Sequence, residues 1–317
     1  MTENERTNWF ALSLIDGIGP RTFGLILSRC EEVGITLDDL FAGSDDELRQ
    51  TLDLPERVLK LLSARNAARD HALKYLQTFA MNNVKVITWK DDTYPFRLSR
   101  NPDSSSVPVL CANGDPACLN MRTVAIVGTR EPTRAGERFG VALGRALGKR
   151  GVTVVSGYAR GADSAGHRGA LKVGAATAAI LPTGIFRTAA TWGLTSDDGD
   201  ICFVSQFPPN QEWVRQGALA RNRTICALSD AVFVIEPRRD GGAMHAAGQA
   251  IELSVPLFVL PGPKSRPPED LTRRFPGVEI VDRDAKPADI AARLAKLARK
   301  SAARKEHEQL TFPFTRS

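Results

Sequence analysis

The sequence predicts an α/β protein: a mostly parallel sheet with helices on both faces, preceded by a small all-helical domain. Three observations predict it. Between Val84 and Gly262, short continuous apolar runs alternate with amphipathic helical stretches, the pattern of a sheet covered on both sides. Ahead of that, from Thr7 to Gln77, Leu12, Ile15, Leu25, Ile26, Leu37, Leu40, Leu48, Leu52, Leu59 and Leu62 recur at helical spacing, with few β-branched runs. The expected strand ends are rich in Gly, Ser, Arg and Asp, and strand ends are where ligands sit in open parallel sheets.

The helical region contains Leu14-Ile15-Asp16-Gly17-Ile18-Gly19-Pro20, which resembles the turn of a helix-hairpin-helix. Such a turn either grips a DNA phosphate with its amides or contacts protein. In the sheet region, Val124-Ala125-Ile126-Val127 reads as a strand ending at Gly128. A polar loop from Thr129 to Arg134 leads into a helix with Phe139, Ala142, Leu143, Ala146 and Leu147 on one face, stopped at Gly151. Val152 to Val155 is the next strand, ending at Ser156-Gly157, and a short helix closes at Leu171. Ala175 to Leu181, Ile201 to Val204, Ala231 to Ile235 and Val255 to Leu260 are further buried strands, with a helical stretch from near Trp213 to Leu228. Pro263-Lys264-Ser265-Arg266-Pro267-Pro268 then opens a more charged region. The expected domains are therefore 1–80, 81–263 and 264–317.

Composition narrows the function classes. With 317 residues, 43% apolar and 25% charged, the chain can bury a sizeable core, which excludes collagen-like, disulfide-scaffold and wholly disordered chains. A net charge of +6 permits a polyanionic partner without demanding one. No uncharged apolar run reaches the roughly 18 residues of a membrane span. The polar, acidic start from Met1 to Arg6 is not a signal peptide. Cys30, Cys111, Cys118, Cys202 and Cys226 are scattered without a C-x-x-C, as expected of reduced thiols in a cytoplasmic protein. His71, His167, His245 and His307 are too far apart for a zinc cluster. No G-x-G-x-x-G follows the first sheet strand, and Gly148-Lys149-Arg150 lacks both the loop and the Ser/Thr of a phosphate-binding P-loop. No metal or cofactor is expected.

The loops carry the chemistry. In Val127-Gly128-Thr129-Arg130 the glycine lets a ligand approach backbone amides, and the arginine can hold a phosphate bidentately. Ser156-Gly157-Tyr158-Ala159-Arg160-Gly161-Ala162-Asp163 follows the next strand. There Asp163 is placed to cap a helix, and His167 shares a helix face with it. Their plain alternative is turn glycines, a cap and a partly exposed histidine. Arg221-Asn222-Arg223 lies in a helical stretch, where the alternative is a solvated face. Gly241-Gly242 and Pro261-Gly262 follow later strands as ordinary turns would.

The ordered set of V-G-x-R, S-G-x-A-x-G-x-D-x-x-x-H, R-N-R, G-G and P-G resembles the Rossmann-like domain of the DprA/Smf family of DNA-processing proteins. Tyr94-Pro95-Phe96-Arg97-Leu98, Pro108-Val109-Leu110 and Gly114-Asp115 look like the approach to that domain, so the resemblance covers about residues 10 to 263. It implies a cytoplasmic, non-catalytic protein that binds single-stranded DNA in a basic pocket, passes the strand to the RecA recombinase in natural transformation, and dimerises. It implies that Gly128, Arg130, Ser156, Gly157, Arg160, Gly161, Asp163, His167, Arg221, Asn222, Arg223, Gly241, Gly242 and Lys264 form the nucleic-acid site. Arginine suits the task, since its planar fork pairs with phosphate and stacks on bases. No aromatic stacking platform stands out; Tyr158 is the one aromatic within the second loop.

The match also departs from the pattern. Pro182-Thr183-Gly184-Ile185-Phe186-Arg187-Thr188 lacks the family's Tyr-Pro, Ser205-Gln206 stands where Ser-Glu is usual, and Gly241-Gly242-Ala243-Met244-His245 replaces Ser-Gly-Ser-x-x-Thr. The last region has no room for a winged helix; Arg293, Lys296, Arg299, Lys300, Arg304 and Lys305 make a basic helix or tail instead. These changes admit a paralogue serving a mobile element or phage defence. They also admit a nucleotide-ligand sensor or a protein related to the LOG phosphoribohydrolases, since Gly241-Gly242 with Glu252 loosely follows their pattern.

Overall fold

The computed structural model describes residues 1–99, 107–187 and 199–305, and they divide into two compact units that meet in sequence at Ala112 and Asn113. The first unit is helical at its start: α1 (Glu3–Leu14), α2 (Pro20–Glu32), α3 (Leu37–Ala42), α4 (Asp45–Thr51), α5 (Glu56–Leu62) and α6 (Arg65–Met81). It continues through β1 (Val84–Thr88), the single turn α7 (Phe96–Ser99) and β2 (Val109–Asn113), with β1 beside β2. The unit thus extends past residue 80, because α1 and α6 both pack on β1.

Local chemistry sets these helices. Thr36 with Asp39 and Ser44 with Glu47 form reciprocal capping boxes at the starts of α3 and α4. Between α1 and α2 the turn is closed by Gly17 at φ 83°, and Pro20 opens α2 with Gly19 as its cap. The unit's core is aromatic: the Trp9 ring lies 5.3 Å from Phe23 and 6.1 Å from Trp89, and Phe10 lies 5.5 Å from Phe79.

The second unit holds the parallel sheet. Its strands are β3 (Thr123–Gly128), β4 (Thr153–Gly157), β5 (Thr177–Ile180), β6 (Ile201–Ser205), β7 (Val232–Ile235), β8 (Leu257–Leu260) and β9 (Glu279–Ile280). Its helices are α8 (Arg134–Gly148), α9 (Ala162–Leu171), α10 (Arg215–Ala227), α11 (Gly242–Glu252), α12 (Pro268–Arg274) and α13 (Pro287–Lys305). The strand order is β6-β5-β4-β3-β7-β8-β9 and each described pairing is parallel. From β3 the chain steps outward through β4, β5 and β6, then returns to the other side of β3 for β7, β8 and β9. That reversal opens a crevice at the carboxyl ends of β3 and β7, where doubly wound sheets bind ligands.

On one side of the sheet, Phe139 of α8 stacks on Phe233 of β7 at 5.6 Å and 10°. The inner face of α8 is Gly136, Phe139, Gly140, Leu143, Gly144 and Leu147, whereas Ala142, expected inside, is exposed on the opposite face. Glycine recurs every fourth residue because neighbouring groups approach closely, side chains at Gly136, Gly140 and Gly148 and backbone at Gly144. A Cβ at 144 would stand 2.3 Å from the Gly166 carbonyl oxygen of α9, and one at Gly169 would stand 2.2 Å from the Val141 oxygen. The region after 263 does not stand apart: Ile290, Ala291, Leu294 and Ala295 of α13 join the same core as Val124, Leu143 and Phe233, and α13 packs on α8. Its cations beyond Ala298 and His307 lie outside the described side chains. All five cysteines are buried and none is in a disulfide. Among the described residues no helix is long and apolar enough to cross a membrane.

Gly144→Ala should therefore destabilise the protein by about 1–3 kcal/mol through overpacking against backbone. Gly248→Ala, in α11 with nothing within 4 Å of the added Cβ, should be neutral or gain up to about 1 kcal/mol of helix propensity. Urea unfolding of the two variants checks the contrast.

Candidate functional site

The crevice is a cavity of about 640 Å³. The loop after β3 contributes Gly128, Thr129 and Arg130; the first turn of α9 contributes Asp163; α10 contributes Arg215, Arg221 and Asn222. The loop after β7 and the first turn of α11 supply Arg238, Arg239, Gly241, Gly242 and His245, and Arg274 closes the far side. Six arginines face it against two carboxylates, Asp163 and Asp240, so its field is positive.

The floor is a buried pair of opposite charges, Asp163 and Arg221, within Coulombic reach of each other. Asp163 is 7% exposed and accepts hydrogen bonds from the Gly128 and Ala159 amides, beside the guanidinium of Arg221. Asp163 therefore sits inside the first turn of α9, whose cap is Gly161, and is not the cap itself. Burial pushes its carboxyl up to about 6, against the opposite pull of Arg221 and the two amides. Arg221, 6% exposed, donates from Nη1 to the Ile180 carbonyl at 3.0 Å, while its Nε is buried without a hydrogen-bond partner. Gly157 is required beneath the pair, since a Cβ there would stand 1.7 Å from Arg221 Nη1 and 2.5 Å from Asp163 Oδ2. Gly161, at φ 85°, lets the next turn pass under the β3 loop, with a Cβ position 2.5 Å from the Thr129 oxygen.

His167 lies one turn further along α9 and is fully buried, not partly exposed. Its Nε2 is 3.0 Å from the Gly157 carbonyl and its Nδ1 is 2.7 Å from Thr177 Oγ1. A carbonyl can only accept, so Nε2 carries a proton, and burial lowers the ring's pKa to about 4, which makes it neutral at pH 7. His167 braces the β4 loop from below, as do Ser156 and Gly157.

The structure thus gathers Gly128, Arg130, Asp163, Arg221, Asn222, Gly241 and Gly242 at the cavity. Arg160 is exposed at its edge, 3.5 Å from Glu131, which also pairs with Arg238. Arg223 turns away to Gln249 at 2.8 Å and Glu252 at 3.0 Å, so Glu252 is held in an ion pair at the other end of α11. Lys264 is exposed and outside the lining. The substituted Gln206 accepts from the Thr224 hydroxyl, and Ser205 donates to the Thr183 carbonyl at 2.7 Å. Tyr158 packs edge-on against Phe203 at 5.3 Å. Sequence reading missed Trp213, 53% exposed on the cavity wall, together with Arg215, Arg238, Arg239 and Arg274. The only sequence signal for them is position just before α10, just after β7, or on α12.

Fold and site define a class: a doubly wound domain with an arginine-lined cavity at its topological switch point. Residues 85–274 match the family model described as DNA recombination-mediator protein A, and the chain belongs to that family. Protein Smf of Synechocystis sp. is 30% identical over 280 residues, covering 82% of this chain and 66% of that protein. Protein Smf of Escherichia coli is 33% identical over 193 residues, covering 58% and 50%. The chain thus spans half to two thirds of the length of these relatives. Among solved structures, DNA processing protein A from Streptococcus pneumoniae aligns with a TM-score of 0.71 at 22% identity, covering 90% of this chain and 98% of that one. DNA processing protein A from Helicobacter pylori, described for its single-stranded DNA binding mode, aligns at 0.56 and 26% identity, covering 67% and 96%.

A pH prediction follows from His167. Its folded pKa lies below the unfolded value, so the unfolded chain binds more protons as pH falls from 6.5 toward 4, and stability is lost in that window. Asp163, with its pKa raised, contributes the opposite slope. Relative to His167→Gln, the wild type should lose about 2 kcal/mol between pH 7 and pH 4.5. Urea midpoints of both proteins at the two pH values check this, because the Asp163 contribution cancels in the difference.

Proposed function

We propose that the cavity binds single-stranded DNA, with the chain acting as a DNA-processing protein and not as an enzyme. One observation carries the reading: an exposed indole, Trp213, shares a wall with the arginine cluster of a strand-end crevice. Unpaired bases offer π-faces to such a ring, and their phosphates suit exposed arginines; a duplex hides those faces. The Helicobacter pylori relative supports it, being described by its single-stranded DNA binding. On the same reading the protein works in the cytoplasm as a homodimer and hands its strand to a RecA-type recombinase, as the family resemblance implies. The DNA-binding loops lie within residues 81–263, and α13 beyond them completes the core of the same unit.

A labelled oligonucleotide titration tests the proposal. Single strand should bind more tightly than blunt duplex of equal length, and binding should weaken as salt rises. Arg130→Ala, at an exposed position, should cost about 1.5–3 kcal/mol of affinity, on the order of ten- to hundred-fold. Trp213→Ala should cost about 1–3 kcal/mol, with Trp213→Phe retaining most of the affinity. Equal affinity for duplex and single strand would overturn the reading. A cavity of about 640 Å³ also has the size of a small-ligand site, so free nucleotides binding more tightly than any oligonucleotide would establish a nucleotide sensor instead.

A further inference from the structure

A second positive surface lies on the outer face of α8 and α9, separate from the cavity. Arg134, Arg138, Arg145 and Lys149 of α8, with Arg168 and Lys172 of α9, are exposed around a shallow groove of about 770 Å³. At 100° per residue the four α8 cations fall within one narrow stripe, diametrically opposite the glycine face. The stripe spans 15 helical steps, about 22 Å. Glu137 is the one carboxylate of the groove, and it is taken by Arg168 at 2.6 Å. Among the described residues, Arg134, Arg138, Arg145, Lys149 and Lys172 have no carboxylate within ion-pair distance.

Helix stability accounts for only part of this arrangement: Arg145 and Arg168 lie in the last turns of α8 and α9, and Lys149 and Lys172 are their C-caps, where the macrodipole favours cations. Arg134–Arg138, Arg145–Lys149 and Arg168–Lys172 are like-charge pairs at i,i+4, each mildly destabilising. Arg134 places a cation in the first turn of α8, where the macrodipole favours anions. Six exposed cations around one groove, with its single carboxylate already paired, give this face a strong positive field. The two faces also differ in kind: the inner face is fixed by close contact, while the outer one has free choice of residue and carries cations.

We propose that this stripe is a second contact for the nucleic-acid backbone, taking phosphates of a strand that extends beyond the cavity. The occupant follows from charge complementarity and from geometry. The stripe is linear and begins at Arg134, directly after the Thr129–Thr133 loop that borders the cavity. Its apolar lining is confined to Val141 and the small side chains of Ala142, Ala146 and Ala288, between the cations, with no large side chain to anchor a protein partner. Contacts of this kind add affinity without reading sequence. The inference extends the single-strand reading of the cavity, and its test separates the two.

The experiment uses the full chain and the variant Arg138→Gln/Arg145→Gln/Lys149→Gln, all exposed positions. Affinity for single strands of about 6 and about 30 nucleotides is measured across a salt series. Neutralising three contacts should lower the slope of log affinity against log salt by about 2 for the long strand, and weaken its binding roughly ten- to hundred-fold at 0.1 M salt. Binding of the short strand should be unchanged. Unchanged long-strand affinity and slope would overturn the proposal and leave the stripe to an acidic protein partner. Loss of short- and long-strand binding alike, in a variant with native circular dichroism, would also overturn it, since the stripe would then be inseparable from the cavity. If the unsubstituted protein binds neither length, the cavity reading fails as well, an outcome distinct from the others.

Discussion

The buried pair of Asp163 and Arg221 is the constraint on which the rest of the site depends. Asp163 takes the amides of Gly128 and Ala159, so one carboxylate fixes the loops after β3 and β4. Arg221 reaches from α10 to the Ile180 carbonyl at the end of β5, 3.0 Å away. Through their own hydrogen bonds, these two opposite charges thus join three strand ends and two helices. Taking these charges out of water is costly, and removing either partner would leave the other uncompensated, at about 3–5 kcal/mol. The pair is therefore architecture before it is recognition. Its guanidinium contributes to the cavity mainly through its field, whereas Arg130 and Arg215, exposed on the walls, can move to meet a ligand.

A second constraint joins the first at α8. Glu236, at the end of β7, has φ 44°, a conformation that costs a non-glycine residue energy. Its carboxylate accepts the Thr133 amide at 2.7 Å and the Thr133 hydroxyl at 2.6 Å, while the same Thr133 oxygen accepts from the Gly136 amide at 3.0 Å. The start of α8 is thus tied to the strand it leans on. Gly136 and Gly262 close over that carboxylate, where a Cβ would stand 2.7 Å and 2.6 Å from Glu236 side-chain atoms. The strain at Glu236 holds the helix start at the rim of the crevice, so the polar loop between Gly128 and Thr133 has both ends fixed and only its side chains free.

Much of this was legible in the sequence, for a physical reason. Buried parallel strands are continuous apolar runs, so Val124–Val127 and Val152–Val155 identify themselves, and the glycines that end them are forced by close approach, of the Ile235 carbonyl at Gly128 and of the Arg221 and Asp163 side chains at Gly157. The order of loops then gives Gly128, Arg130, Asp163 and Arg221 a shared location. What was not legible depends on where side chains point. Arg221 and Arg223 are two residues apart on one helix, so they lie on different faces: one is buried under the cavity and the other pairs with Glu252. His167 has a polar side chain and an interior place that only the Gly157 and Thr177 partners explain. Trp213 precedes a helix in a stretch without periodicity, and nothing in its neighbours distinguishes a packed indole from an exposed one.

The distribution of charge carries the last step. A net charge of +6 over 317 residues is unremarkable, yet the cavity alone gathers six arginines against two aspartates. Local concentration, not total charge, sets the potential that a polyanion meets. Apart from the arginines, whose forks can also meet a guanine edge, the cavity groups able to read a base edge are chiefly Asn222 and His245. Of these, Asn222 is already donating to the Gly242 carbonyl at 3.2 Å, and His245 Nδ1 is buried without a hydrogen-bond partner. Arginine forks on phosphates and an indole face stacked on a base act on any strand alike. On the proposed reading, recognition by this chain is therefore of strandedness and backbone, with little sequence preference, as suits a protein that must accept whatever strand it is given.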